Sequence, residues 1–340
     1  MIKAIKLTDF RNFKAKTLKF SDGITTIVGP NATGKTNILE SLFLLSTAKS
    51  FKARMEAEML RYEQELARVT GESNSLSLEV IITKGDNGWP KKRMMVNGVP
   101  KRTIDFAGNF KTVLFGPWDM DLVTESPSIR RKFLDNVLSQ VDREYRRSIL
   151  SYEKGLRQRN RLLFRIREEG VPRSQLLFWN QLLIKNGDYI SQKREEFIQY
   201  VNSNHSPVKN HYLLEYDKSV ISEGRLEQYK DEEIAAATTL VGPHRDDFIF
   251  FGGKRNLAAY GSRGQQRMGV LWLKMAELNF IETKTEIRPT LLLDDIFSEL
   301  DHEHRGVVME LSKKQQTIIT TADEHFLKGI GKVEKIELKG

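Results

Sequence analysis

The stretch GPNATGKT, Gly29 to Thr36, decides the fold of this 340-residue chain. It matches the pattern G-x-x-x-x-G-K-[ST] at every fixed position. The run before it, 24–28 (ITTIV), has the composition of a buried parallel strand, and the run after it, 37–45 (NILESLFLL), has apolar residues at helical spacing. A glycine loop between a strand and a helix turns backbone N–H groups and the positive end of the helix dipole toward a phosphate. The sequence therefore predicts a nucleoside triphosphate site.

Individual positions of this loop have expected roles. Gly29 and Gly34 are expected to adopt backbone angles that a side chain would hinder. Lys35 is predicted to reach the β- and γ-phosphates, and the Thr36 hydroxyl is predicted to ligate Mg²⁺. A glycine turn before an ordinary core helix is the alternative, and it is less favoured because both flanks fit the motif. The predicted nucleotide-binding residues are Gly29, Pro30, Asn31, Ala32, Thr33, Gly34, Lys35, Thr36 and Asn37.

Composition narrows the possible functions. The chain has no cysteine, which excludes disulfides and cysteine metal sites. No apolar run has the length of a membrane helix, and the first residues lack a signal-peptide run, so a cytoplasmic protein without a membrane partner is the simplest expectation. Lys and Arg outnumber Asp and Glu by 54 to 45, a net charge of +9, which suggests a polyanionic partner.

Several segments around the loop leave alternatives open. In the run 9–13 (DFRNF), Phe and Arg could flank a nucleotide base, or Phe10 and Phe13 could belong to the core. Residues 49–54 (KSFKAR) form a basic turn, and Asn97-Gly98 predicts a tight hairpin. The cations beside that hairpin are expected to be a solvated strand edge, with a DNA-facing role as the lesser alternative.

Two long helices are predicted in the middle of the chain. Apolar residues repeat at steps of three and four from 128 to 169, Gly170-Val171-Pro172 breaks the pattern, and 174–201 resumes it, which indicates an antiparallel arm. Between residues 130 and 173 there are thirteen Lys or Arg against six Asp or Glu. The predicted DNA-binding residues are Arg157, Arg161 and Arg165, which share one helix face because they are four apart. Arg159 and Arg167 are expected to add to this basic cluster.

The last third of the chain carries a second set of nucleotide motifs. Residues 261–266 (GSRGQQ) stand at a predicted helix start and form a second candidate anion site. Residues 291–295 (LLLDD) predict a buried strand that ends in two acids, Asp294 as the Mg²⁺ ligand and Asp295 as the residue that orients the attacking water. The segment 242–247 (GPHRDD) could act near the nucleotide or could be a turn alone.

The order of these motifs is that of ABC-type ATPases, in which two heads sandwich two nucleotides. A GTPase would carry an Asn-Lys-x-Asp guanine reader, and the chain has none. Within this class the chain resembles the RecF family, the recombination and gap-repair ATPases related to SMC proteins. The motifs that carry the resemblance are FRNF from Phe10, GPNATGKTN from Gly29, KSFK from Lys49, SPSIRRKFLD from Ser126, RQRN from Arg157, GPHRDD from Gly242, SRGQ from Ser262 and LLLDDIFSELD from Leu291.

The resemblance implies an α/β fold, an ABC/SMC-type P-loop ATPase head (lobe I) with a helical insertion that forms a short antiparallel arm (lobe II). It implies ATP and Mg²⁺ as cofactors, an ATP-dependent homodimer on DNA, weak DNA-stimulated hydrolysis, and RecO, RecR and RecA as partners. We expect the first part of lobe I at 1–112, the arm at 113–238 and the second part of lobe I at 239–340.

Site roles follow from the resemblance residue by residue. Lys35 and Asp295 are the expected catalytic residues, and Thr36 with Asp294 the expected Mg²⁺ ligands. The other implied sites are a contact to the partner's ATP (Ser262, Arg263, Gly264 and Gln265), a D-loop (Ser298 and Asp301) and a γ-phosphate switch (Thr320 or Thr321). No glutamine matches the transporter Q-loop, and residues 115–119 occupy that region.

Two other functions compete with this one. The chain could be the ATPase subunit of a membrane transporter, although its insertion is a long arginine-rich arm and not a coupling surface. It could also be a structural clamp that binds ATP without hydrolysing it.

Overall fold

The computed structural model describes residues 1–85, 90–203, 212–298, 300, 302–323, 325 and 333–339. The predicted D-loop residue Asp301 lies outside these ranges. So do residues 86–88 of the segment 85–88 (GDNG), whose composition predicts a turn. The strands in chain order are β1 (Ala4–Phe10), β2 (Phe13–Lys19), β3 (Ile24–Val28), β4 (Leu66–Glu72), β5 (Ser77–Thr83), β6 (Lys91–Val96), β7 (Val99–Lys101), β8 (Thr112–Phe115), β9 (Tyr212–Asp217), β10 (Asp247–Gly252), β11 (Arg255–Asn256), β12 (Thr290–Asp294), β13 (Thr317–Thr321) and β14 (Glu334–Glu337).

The helices range from one turn to more than seven turns. In chain order they are α1 (Lys35–Thr47), α2 (Thr103–Phe106), α3 (Asp121–Thr124), α4 (Pro127–Val141), α5 (Arg143–Glu169), α6 (Leu177–Ser203), α7 (Glu223–Gln228), α8 (Lys230–Ala236), α9 (Leu257–Tyr260), α10 (Arg263–Thr285) and α11 (His302–Ser312). Within the described residues, no helix combines the length and the apolar character that crossing a membrane requires.

The chain divides into two compact units, residues 1–119 with 281–340 and residues 120–280. The sequence-based boundaries assign residues 239–280 to lobe I, whereas these units assign them to the second. The reason is strand pairing, since β10 pairs along its length with β9. The division falls within α10.

The first unit contains the parallel sheet that the sequence predicts around the glycine loop. Its strand order is β14-β3-β13-β12-β8, and the β3–β13, β13–β12 and β12–β8 pairs are all parallel. Strands β3, β12 and β13 are buried at every position, as expected for apolar strands in the middle of a parallel sheet. Because the strands are parallel, their carboxyl ends meet at one edge of the sheet.

A second, antiparallel sheet completes this unit, in the order β2-β1-β4-β5-β6-β7. Along β4 and β5 buried residues alternate with less buried ones, so one face of this sheet is buried. The buried side chains join those of α1 in a single apolar cluster. Phe10 and Phe13 both belong to this cluster, so the core alternative for the run 9–13 is correct for the two rings. Asn97 and Gly98 have φ of 51° and 76°, and the tight hairpin between β6 and β7 is confirmed.

The second unit contains the arm, the helix pair α5 and α6. The predicted helix over 128–169 is in fact two helices, α4 and α5. The break occurs because the Asp142 carboxylate accepts hydrogen bonds from the backbone N–H groups of Glu144 (2.8 Å) and Tyr145 (3.0 Å) and so caps a new helix. Gly170, with φ of 66°, ends α5 and starts the return of the chain.

The hairpin of β10 and β11 is short, because β11 has only two residues and α9 follows it. The Asn256 side chain accepts hydrogen bonds from the N–H groups of Ala258 (2.8 Å) and Ala259 (3.3 Å), which favours a helix start over a longer strand.

The segment 242–247 lies in a buried polar network of the second unit. Arg194, 1% exposed, donates to the carboxylates of Asp246 (2.9 Å) and Asp135 (2.9 Å) and to the Pro243 carbonyl (2.6 Å). Burial lowers the pKa of His244 to about 4, so its neutral ring accepts from the Tyr152 hydroxyl (2.9 Å) and donates to the Thr239 carbonyl (3.0 Å). These contacts give the segment a structural role in its own unit.

Arg159 does not belong to the exposed arginine face that the sequence suggested. Its side chain is 2% exposed and donates to Glu233 (2.6 Å), Asn180 (2.7 Å) and Thr239 (2.8 Å). Position 159 lies half a turn from Arg157 and Arg161, which are exposed. The four-residue spacing correctly predicts a shared exposed face for Arg157, Arg161 and Arg165, whereas Arg159, counted with the same basic cluster, is buried.

Replacing Arg159 by Leu should lower the free energy of unfolding by about 3–5 kcal/mol, because Glu233 would stay buried without its charge partner. The matched control is Arg161→Leu on the same helix, which should change stability by about 0.5 kcal/mol or less. Urea denaturation followed by circular dichroism measures both. Equal effects of the two substitutions would contradict the buried ion pair.

Candidate nucleotide site

The glycine loop joins the end of β3 to the first residue of α1 and is shaped by its two glycines in different ways. Gly34 has φ of 98°, in the left-handed region, and a Cβ there would lie 2.6–2.7 Å from the Asn12 amide. Gly29 has an ordinary φ, contrary to the expectation, but a Cβ on it would lie 2.6 Å from the Leu338 carbonyl oxygen. The first glycine is therefore required by close packing and the second by backbone angle as well.

Lys35 is folded onto the loop it belongs to. Its Nζ donates to the carbonyl oxygens of Gly29 (2.7 Å) and Pro30 (2.9 Å), and the residue is 8% exposed. Thr33 Oγ1 also donates to the Pro30 carbonyl (2.9 Å). The ammonium group therefore lies inside the curve of the loop, where a phosphate would compete with two carbonyls for its hydrogen bonds.

Three strands bring oxygen ligands together at one point of the sheet edge. Thr36 Oγ1 donates to Asp294 Oδ2 (2.8 Å), and Thr320 Oγ1 donates to Asp294 Oδ1. Asp294 is 5% exposed. A hydroxyl beside a carboxylate is the donor set that Mg²⁺ takes in nucleotide sites, where one or two carboxylates act together with substrate phosphates. The residues present therefore fit Mg²⁺ at Thr36 and Asp294.

Asp295 occupies a special backbone position next to this cluster. Its φ is 48°, and its N–H donates to the carbonyl oxygen (3.0 Å) and the hydroxyl (3.2 Å) of Thr320. Burial, and then the neighbouring Asp294 carboxylate, raise the pKa of Asp295 above the ordinary carboxyl value. A carboxyl group with a raised pKa beside a phosphate site is suited to accept a proton from water.

The two threonines proposed for the switch differ in position. Thr320 contacts Asp294, whereas the Thr321 hydroxyl donates to the Asp323 carbonyl (3.1 Å) and accepts from the Asp323 N–H (3.2 Å), within a local turn. The Ser298 hydroxyl donates to the Asp295 carbonyl (2.7 Å) and so connects the predicted D-loop to the acidic pair.

The second predicted anion motif forms a capping box in the second unit. The Ser262 hydroxyl accepts from the Gln265 N–H (3.2 Å), while the Gln265 side chain accepts from the Ser262 N–H (2.9 Å). Ser262, Arg263, Gly264 and Gln265 are all exposed. The first turn of α10 is thus held in shape with its surface open to solvent.

The three predicted arm arginines are exposed on α5. Arg165 donates to Glu169 (2.8 Å), an exposed pair one turn apart. Arg167 is also exposed and donates to Glu168 (2.7 Å) and to the Ala235 carbonyl (3.0 Å). Three cations at Arg157, Arg161 and Arg165 therefore face solvent along one side of this helix.

Sequence reasoning missed the polar contacts of the β1–β2 turn. Arg11 makes a bidentate ion pair with Glu40 of α1 (2.6 and 2.8 Å), and Asn12 donates to the Thr33 carbonyl of the glycine loop (3.1 Å). The signal was a glutamate in the middle of the apolar run 37–45, which a buried position tolerates only with a partner. Arg11 was considered for stacking and not for this pairing.

Comparison with known proteins supplies the family. A sequence model of the family described as RecF/RecN/SMC N terminal domain matches residues 1–339. The DNA replication and repair protein RecF of Ligilactobacillus salivarius is 34% identical in an alignment that covers 94% of this chain and 90% of that protein. The RecF protein of Agathobacter rectalis is 34% identical in an alignment that covers 99% of this chain and 96% of that protein.

The chain belongs to the RecF family. Its fold agrees with a solved structure of the recombination mediator RecF with ATP, with a TM-score of 0.86 at 31% identity over 95% of this chain and 92% of that chain. An SMC head bound to a domain of ScpA matches with a TM-score of 0.52 at 16% identity and supports the fold alone. The predicted RecF resemblance and the ABC/SMC-type head fold are confirmed.

Substitution of the two acids should separate their roles. Asp294→Asn should weaken ATP binding in the presence of Mg²⁺ and change it little in EDTA, because the charge that faces the metal is lost. Asp295→Asn should keep Mg²⁺-dependent affinity and slow hydrolysis, since an amide cannot accept the proton of water. Titration with a fluorescent ATP analogue and phosphate release measure the two effects. An equal loss of affinity in both variants would refute this division of roles.

Proposed function

We propose that this protein is an ATP-dependent DNA-binding protein of recombinational and gap repair and of replication-fork maintenance. In this proposal ATP closes two copies into a clamp on DNA, slow DNA-stimulated hydrolysis opens it, and the clamp helps RecO and RecR load RecA. The observation that carries it is the convergence of Thr36, Asp294 and Thr320 beside a glycine loop, in a chain whose relatives are named DNA replication and repair proteins.

The chemistry proposed for the site uses groups already in place. Lys35 exchanges its loop carbonyls for phosphate oxygens, and loop amides with Thr33 and Asn37 orient the nucleotide. Mg²⁺, when bound, neutralises the charge that develops on the phosphates. Thr36 and Asp294 hold it, Thr320 fixes the Asp294 carboxylate, and Asp295 orients water and takes its proton. These roles follow from the donor types and distances at the sheet edge.

A homodimer explains the open first turn of α10. Ser262, Arg263, Gly264 and Gln265 are exposed and rigid, and a helix start of this kind favours an anion. We propose that this turn contacts the ATP bound by the second copy. For Ser298 and Asp301, the D-loop residues, we likewise propose a role in contacts with the second copy.

The DNA contact is assigned to the arm. Arg157, Arg161 and Arg165 are exposed on a helix of 27 residues, about 40 Å long. Arginine suits phosphate because its guanidinium donates several hydrogen bonds in one plane. This cationic face also favours a DNA partner over a membrane transporter. The non-hydrolysing clamp differs from our proposal only in turnover, which ATPase assays with and without DNA decide.

Replacing Ser262 by Arg should preserve ATP binding by the monomer and abolish ATP-dependent dimers, because the contact lies across the interface. Ser222→Arg is the control, since Ser222 also caps a helix through its hydroxyl (3.2 Å to the Arg225 N–H) and its loss costs a similar stability. Light scattering in saturating ATP measures the particle mass. Normal dimers in the Ser262 variant would remove the two-copy site.

Changing Arg157, Arg161 and Arg165 together to Glu should weaken duplex binding and make the slope of log K against log salt shallower by up to about three units. The affinity of the monomer for ATP should not change. The control triple Lys218, Lys230 and Lys254→Glu carries the same charge change on exposed residues outside the helices α5 and α6. Fluorescence anisotropy over a salt series measures both. Equal slopes in the two triples would show that the arm does not hold the DNA.

A further inference from the structure

The basic turn 49–54 has a backbone held by hydrogen bonds and three exposed cations. The Ser50 hydroxyl accepts from the N–H groups of Lys52 (2.9 Å) and Ala53 (2.7 Å) and donates to the buried Glu40. The Phe51 ring stacks on Trp118 with centroids 4.9 Å apart. Lys49, Lys52 and Arg54 are exposed on this turn. The backbone therefore holds three cations at a fixed place while their long side chains can exchange partners.

A chain of hydrogen bonds runs from Lys52 to the glycine loop. Lys52 Nζ donates to Asn37 Oδ1 (3.1 Å), Asn37 Nδ2 donates to Asn12 Oδ1 (2.9 Å), and Asn12 Nδ2 donates to the Thr33 carbonyl (3.1 Å). Both ends fix its direction, because an ammonium group only donates and a carbonyl only accepts. Each asparagine must therefore turn its oxygen toward Lys52 and its nitrogen toward the loop.

These hydrogen bonds engage Asn37, a residue of the proposed nucleotide site. Asn37 follows Thr36 directly and is among the residues proposed to orient ATP, yet its amide is engaged at both ends by Lys52 and Asn12. Asn12 lies directly against the loop, where a Cβ on Gly34 would approach its side chain to 2.6–2.7 Å. Lys52 is thus three hydrogen bonds away from the Thr33 carbonyl of the glycine loop, and one from Asn37.

We propose that Lys52 senses the phosphate backbone of DNA and reports it to the ATP site through Asn37 and Asn12. A DNA phosphate draws the Lys52 ammonium away from Asn37, because a charge-assisted bond to an anion is stronger than one to a neutral amide. The Asn37 amide is then able to turn to ATP. This inference rests on the proposed function, since it assumes that the protein binds both ATP and DNA.

Lys52→Met and Lys49→Met provide a charge-matched test within one turn. In the parent, saturating duplex oligonucleotide should lower the Kd for a fluorescent ATP analogue about two- to ten-fold. This is the change in affinity that the net contribution of one hydrogen bond produces. Without DNA, Lys52→Met should already have a Kd for the analogue about two- to ten-fold lower than the parent's, and DNA should not lower it further. Lys49→Met removes the same charge outside the hydrogen-bond chain and should keep the parent's response to DNA.

The two explanations of a lysine effect predict opposite signs. If the turn acts only through its charge, both substitutions should weaken ATP binding alike, because a cation near the phosphates is lost. That result, or a DNA response retained by Lys52→Met, would overturn the inference. A parent whose ATP affinity ignores DNA would overturn it too, while duplex binding and ATP-dependent particle mass, measured on the same samples, test the proposed function separately.

Asn12→Ala gives a second, independent test. The substitution removes the middle of the hydrogen-bond chain without changing any charge. DNA should therefore no longer raise the affinity for ATP, as in Lys52→Met. Thermal unfolding of the variant checks that the β1–β2 turn still packs on α1 through Arg11 and Glu40. An intact DNA response in a folded Asn12→Ala protein would overturn the inference.

Discussion

The candidate nucleotide site depends on one carboxylate, that of Asp294, which accepts hydrogen bonds from the hydroxyls of Thr36 and Thr320. Asp294 ends β12, Thr36 follows the loop after β3, and Thr320 stands near the end of β13. Their side chains can meet only because the three strands are parallel neighbours, with Asp294 in register with Thr320. The pairing of the sheet therefore positions the chemistry, and a slip of one residue would turn Asp294 to the other face.

Sequence patterns located this site because its parts are local motifs. The glycine loop, the strand 24–28 and the pair Asp294-Asp295 are each readable within a few residues, and the parallel-sheet rule brings them to one edge. The Arg11–Glu40 pair was not readable, because it joins residues 29 positions apart and depends on how α1 packs on the antiparallel sheet. Helix boundaries failed in the same way at Asp142, whose capping role interrupts an otherwise continuous apolar stripe.

The charge of the arm shows a similar limit. A count of arginines from 130 to 173 does not distinguish Arg159, which pairs with a buried glutamate, from Arg161, which faces solvent. The helical period places Arg159 and Arg161 on different faces of α5, but it does not say which face is buried. That depends on the ion-pair partner of Arg159, Glu233, which lies 74 positions away. Likewise the segment 242–247 looks like site chemistry in sequence, while Asp246 and Asp247 are ion-paired with Arg194 and Arg130 within the second unit.

The folded position of Lys35 has a consequence for selectivity among anions. Its ammonium group has already left bulk water and is solvated by two backbone carbonyls. An incoming anion must therefore displace those carbonyls, and not water, from the ammonium group. A singly charged ion such as chloride gains little free energy from that exchange. We expect a triphosphate, with its higher charge and many oxygens, to replace both carbonyls. The folded lysine would then make the loop selective for highly charged anions.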